Sequence, residues 1–202
     1  MFRCIVFDFD GTIVSSNNVK KEIFFKLLKP YRISKKLIIS ELNKEENSRN
    51  EIFNNILINF PQNKIREIIT KFSKICDDKI SKLSPSDDFF KIVEYAKLNN
   101  INLVISSNTP EENLIRIVKS LGIHSFFSEI NGYPKHKTDT LKKLVAKYNI
   151  SPKKVLVVGD GQSDMDSAEN NNCNFYYVKN AELDINSVIN YEDTFGDSSK
   201  VW

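Results

Sequence analysis

Two aspartates, Asp8 and Asp10, arrive in MFRCIVFDFDGTIV where an apolar run ends, and Asp160 and Asp164 follow the run KVLVV in GDGQSD. Clustered carboxylates are oxygen-only ligands. They suit a hard ion such as Mg²⁺, which keeps several waters and binds through one or two carboxylates plus a substrate phosphate. Between the two acid pairs the chain offers Ser107, Asn108 and Thr109 in LVISSNTP, and Lys135 and Lys137 in NGYPKHKTDTL. A hydroxyl beside free helix amides suits a phosphate oxygen, and a lysine opening a helix is mildly unfavourable unless an anion faces it. Each segment also has a plainer reading. Asp and Gly are ordinary turn residues, Thr109 is placed to cap a helix whose first residue is Pro110, and exposed lysines are common. Four carboxylates in one crevice, however, require an offsetting charge, which a divalent cation and a lysine supply. Asp166 is expected to cap or to face solvent. His124 and His136 have no Cys or carboxylate at ligand spacing and read as surface or loop residues.

The elements that must bring these residues together are strands and helices in alternation. Cys4 to Phe9, apart from Asp8, is a near-continuous apolar run, as in a strand buried on both faces of a parallel sheet. Further strands are expected at 102–106, 128–131, 155–159 and 175–178, with helices at 87–98, 111–121, 138–148 and 163–170. In open parallel sheets the ligand crevice lies beyond the carboxyl ends of the strands, where all four chemical segments fall. Residues 15–84 differ in texture: they lack glycine and carry apolar stripes at helical spacing, including Ile23, Phe24, Leu27 and Leu28. The pattern predicts an α/β domain over 1–14 and 85–202, interrupted by a helical insert over 15–84. The segment beyond Asn180 is polar and weakly patterned, and no function is read from it.

Composition narrows the classes. The 202 residues, 41% hydrophobic and 27% charged, describe an ordinary globular chain able to bury a core. A net charge of +3 from 29 basic and 26 acidic residues mixed along the chain argues against a nucleic-acid surface. The scattered Cys4, Cys76 and Cys173 read as reduced thiols. With no leader pattern and no run of about 18 apolar residues, the expectation is a cytoplasmic protein without a membrane partner.

Taken in order, DFDGT, the Ser of ISSN, the Lys of HKTDTL and GDGQSD resemble the four motifs of the haloacid dehalogenase-like hydrolases, over residues 3 to about 180. The resemblance implies a Rossmann-like parallel sheet with helices on both faces and an inserted helical cap of type 1. It implies Asp8 as nucleophile and Asp10 as acid and base, with the Asp10 backbone carbonyl on Mg²⁺. Ser107 and Asn108 would hold the transferring phosphoryl group, Lys137 would offset its charge, and Asp8, Asp160 and Asp164 would complete the metal site. Lys135 is the fallback for Lys137. The acid at position 10 points to phosphate-ester chemistry: a Mg²⁺-dependent phosphatase of a small phosphorylated metabolite, a sugar phosphate among the candidates. The alternatives are a phosphomutase, which keeps both acids, or an idle binding member; a monomer or homodimer is expected. Ser48-Arg49 resembles a pair found in the cap of one subgroup, so Arg49 could reach a substrate anion or simply be solvated. Ser15-Ser16 departs from the Asp-Ser often found after the first motif.

Overall fold

A computed structural model describes residues 1–44, 48–179 and 181–191. Five parallel strands, β1 (Cys4–Phe7), β2 (Asn102–Pro110), β3 (Glu129–Tyr133), β4 (Val155–Gly159) and β5 (Asn174–Tyr177), form one sheet in the order β3-β2-β1-β4-β5. Strand order reverses direction at β1, so the crevice of this topology opens where β1 and β4 end. Asp8 and Asp160 are the residues that follow those two ends.

β1 is buried along its length because the sheet is covered on both sides. Ile5 and Phe7 join one apolar cluster with Phe89 and Ile92 of α5 (Asp87–Leu98) and Leu114 and Ile117 of α6 (Glu111–Ser120). Cys4 and Val6 point the other way, towards Leu141 and Leu144 of α7 (Lys137–Lys147) and Ala168 of α8 (Gln162–Asn170). Cys76 and Cys173 are buried like Cys4, and all three are free thiols.

The helical insert falls between β1 and β2 as α1 (Asn17–Leu28), α2 (Lys35–Leu42), α3 (Arg49–Ile56) and α4 (Gln62–Ile80). Ser34 and Ser48 cap α2 and α3 through hydroxyls that accept from Leu37 N–H and Glu51 N–H, and the Glu51 carboxylate accepts from Ser48 N–H. The insert has its own aromatic centre. Phe24 stacks on Phe53 at 4.7 Å between ring centroids, and Phe72 meets them at 4.4 and 5.3 Å.

Several boundaries differ from those read in the sequence. β1 ends at Phe7 because the Phe9 carbonyl accepts from the N–H groups of Ile13 and Val14, turning the chain before a longer strand can form. β2 continues past Ser106 to Pro110, through an irregularity in its register with β3. The C-terminal stretch is more ordered than its polarity suggested. Short helix α9 (Ile185–Ile189) buries Val188, and Tyr191 Oη donates to Phe175 O at 2.8 Å. Asn180 and 192–202 lie outside the described residues. Among the described residues no helix is long and apolar enough to cross a membrane.

Candidate active site

The tight turn after β1 projects two carboxylates in different directions. Asp8 is buried, and its Oδ1 accepts from Lys137 Nζ at 2.7 Å. The same ammonium donates to Asp164 Oδ1 at 2.7 Å, so Lys137, the first residue of α7, bridges acids from two strand ends. Lys137 is only 8% exposed, which overturns the reading of an exposed lysine. Burial works to lower its pKa, but Asp8 and Asp164 prevail and raise it, so the ion persists. Lys135 goes elsewhere, pairing with Glu111 at 2.6 Å and donating to Asn131 Oδ1 at 3.3 Å.

Asp8, Asp160 and Asp164 each place a carboxylate oxygen within 4.8 Å of the others. Burial, reinforced by Asp8, pushes Asp160 up to about 6. Burial also raises Asp164, against the pull of Lys137. These three acids share one ammonium, and that shortage of positive charge, with an all-oxygen donor set, fits a hard divalent cation. Asp164 has a structural duty as well, since Gly161 N–H donates to its Oδ2 at 3.3 Å at the start of α8.

The Asp10 carboxylate stands outside that cluster. It accepts from Ser16 Oγ at 2.6 Å and Thr109 Oγ1 at 2.7 Å, and pairs with Lys20 Nζ at 2.5 Å. Burial acts to raise its pKa, but the Lys20 charge and these hydrogen bonds hold it below the usual carboxylate range. Thr109 is therefore not the cap of α6. Pro110 occupies that position without a side-chain cap, and the Thr109 hydroxyl is drawn across to Asp10. Ser107 Oγ accepts from Thr109 N–H at 3.1 Å, and Asn108 Nδ2 lies 3.5 Å from Ser163 Oγ.

Asp8, Asp10, Ser107, Asn108, Thr109, Lys137, Asp160 and Asp164 line one cleft of about 430 Å³, roofed by the insert through Lys20, Lys21, Phe24, Ile52 and Phe72 among others. Arg49 lines it too, with its guanidinium 5.2 Å from the Phe72 ring centroid and 2.9 Å from Ser73 Oγ. Ser48, its neighbour, uses its hydroxyl as a helix cap. Asp166 is exposed and accepts from Gln162 Nε2 at 2.8 Å, and His136 lies at a separate cavity beside Lys135. Sequence reasoning missed Asn17 and Lys20, which reach Asp160 and Asp10 from α1. Their only signal was polarity in the first turn of an otherwise apolar stripe.

Residues 5–178 match the family of haloacid dehalogenase-like hydrolases. The chain belongs to that family. Among relatives of this hydrolase, a Clostridium perfringens protein named as a pyrophosphatase, PpaX, is 27% identical over 184 residues, covering 84% of this chain and 80% of its own. The fold likeness extends to a β-phosphoglucomutase from Clostridium difficile, with TM-score 0.74 and 18% identity over 94% of this chain and 96% of that one. CbbY from Rhodobacter sphaeroides, solved with phosphate, has TM-score 0.70 and 14% identity, over 87% and 85% of the two chains.

Proposed function

We propose that this hydrolase is a Mg²⁺-dependent phosphatase that cleaves a small phosphate monoester through an aspartyl-phosphate, with residues 15–84 acting as a cap. The observation that carries this is the Lys137 ammonium held at 2.7 Å from both Asp8 and Asp164, beside Asp160 and lining the cleft under the insert. Among the described residues nothing donates to Asp8 Oδ2, so an oxygen is available to attack phosphorus. Attack forms an Asp8 Oδ–P bond and breaks the P–O bond to the leaving group, which takes a proton from Asp10. Asp10 then accepts a proton from water, whose oxygen displaces Asp8 and releases inorganic phosphate.

Asp10 is held ionised by Lys20 here, the state needed for the second half. An incoming phosphate adds negative charge nearby and favours protonation of Asp10 for the first half. Ser107 and Asn108 would position the phosphoryl oxygens, and Lys137 would offset charge developing on them. Asp8, Asp160, Asp164 and the Asp10 carbonyl would hold Mg²⁺, which supplies charge neutralisation when bound. Arg49, braced by Phe72 and Ser73 with no carboxylate partner among the described residues, would contact an anionic group elsewhere on the substrate. That is in keeping with the xylulose 1,5-bisphosphate found with a CbbY variant.

The test is turnover of p-nitrophenyl phosphate and a panel of phosphorylated metabolites. Asp8→Asn, nearly isosteric, is expected to fold and to lose at least about 10³-fold in kcat. EDTA should silence the wild-type protein and Mg²⁺ restore it, whereas Ca²⁺, with its looser and higher coordination, should not. Near-normal activity in folded Asp8→Asn, or in metal-free buffer, would defeat the reading.

A further inference from the structure

Asn17 is the first residue of α1 and so belongs to the insert, yet its Nδ2 donates at 2.7 Å to Oδ2 of Asp160, which is rooted at the end of β4. The contact is built into the backbone. Gly11 has φ +82°, and a Cβ there would stand 2.1 Å from Asp160 Oδ2 and 2.2 Å from Asn17 Nδ2. Only a residue without a side chain lets the amide and the carboxylate meet in that space. Thr12 Oγ1 approaches the other Asp160 oxygen at 3.4 Å, a far weaker restraint. Asp160 still keeps an oxygen within 4.8 Å of oxygens of Asp8 and Asp164.

We propose that Asn17 is a positioning residue for the metal site, carried on the cap, so that metal occupancy and the seating of α1 on the sheet are coupled. The proposal rests on the reading that the three carboxylates bind Mg²⁺. A ligating carboxylate must be held in rotation, and outer partners that do so are typically worth about 10–100-fold in metal affinity. For Asp160 the short hydrogen bond comes from α1. If α1 lifts, Asp160 loses that bond and the site weakens. Reciprocity then requires bound metal to favour the seated helix by the same factor. Ser16 and Lys20 anchor the same region to the Asp10 carboxylate, whereas Asn17 is the α1 residue that touches a ligating carboxylate of the acid cluster, Asp160.

The test is calorimetric titration of the full chain with Mg²⁺, without substrate, combined with hydrogen exchange over α1. Asn17→Ala is expected to bind Mg²⁺ about 10–100-fold more weakly than wild type. Asn17→Gln, which keeps the amide donor on a longer arm, should recover part of the loss. Mg²⁺ should slow exchange of the α1 amides in wild type and do so much less in Asn17→Ala, whose folding is read by circular dichroism in EDTA. Affinity equal to or tighter than wild type in folded Asn17→Ala would overturn the proposal. So would metal protection of α1 that survives the substitution. Absence of Mg²⁺ binding by wild type would instead bring down the metal reading of the cluster itself.

Discussion

A buried lysine between two aspartates survives as an ion only because each partner offsets what burial takes away, and Lys137 is that case. Asp160 has no ammonium bonded to it among the described residues, and burial together with Asp8 pushes it up to about 6. Its folded-state pKa lies above its unfolded value, so the folded protein binds more protons than the unfolded chain between about pH 4 and 6. Asp164, raised likewise, extends that window upward. Stability of the metal-free protein must therefore fall as pH rises through the window. Asp10, shifted down, changes stability only in the acid range, and Lys137, shifted up, only in the alkaline range. In EDTA, the melting temperature is expected to be about 5 °C lower at pH 8 than at pH 5.5. Saturating Mg²⁺ should close most of that gap, because the cation replaces the missing positive charge. A metal-free protein that is more stable at pH 8 would contradict the charge balance described. Asp8, Asp10, Asp160 and Asp164 were legible in the sequence because each follows a strand end, a place that local pattern reveals. Asn17 and Lys20 were not, since their partners lie 143 and 10 residues away and only the folded insert brings them together.

At the scale of elements, what was legible was the alternation of strand and helix, because period and burial are local properties. Ends were harder to read, since they depend on bonds across the fold. β2 runs to Pro110 because its far end pairs with Tyr133 of β3, and Thr109 does not cap because Asp10 takes its hydroxyl. The insert's helices were read from apolar stripes, which show which residues are buried but not how they pack. Their packing centres on Phe53, fully buried between Phe24 and Phe72. Phe53→Ala removes both ring contacts and leaves a cavity, with an expected cost of about 3–5 kcal/mol. Urea denaturation monitored by circular dichroism measures it, and a loss below about 1 kcal/mol would mean that the insert repacks freely. Because Phe72 also backs Arg49, the same substitution should loosen one wall of the cleft.

For the whole molecule, the sequence showed a sheet with a helical interruption but not how tightly the two are joined. α1 answers that by reaching three acid-bearing or hydroxyl-bearing positions of the sheet domain: Asp160 through Asn17, and Asp10 and Thr109 through Lys20. The three buried thiols turn this architecture into its own clock. Cys76 sits on α4 of the insert, and Cys4 and Cys173 lie in the apolar layer beneath the sheet. Burial pushes them up to about 11 for Cys76 and Cys173 and about 12 for Cys4, so none is a ready nucleophile in the native state. Each can be alkylated only when its own layer opens. Mass spectrometry of iodoacetamide-treated protein should therefore find Cys76 modified at a rate set by the insert, and Cys4 at the slower rate of global unfolding. Equal rates for the two would mean that insert and sheet open together. Unequal rates would let a single reagent time the insert and the body of the molecule separately, with no label added.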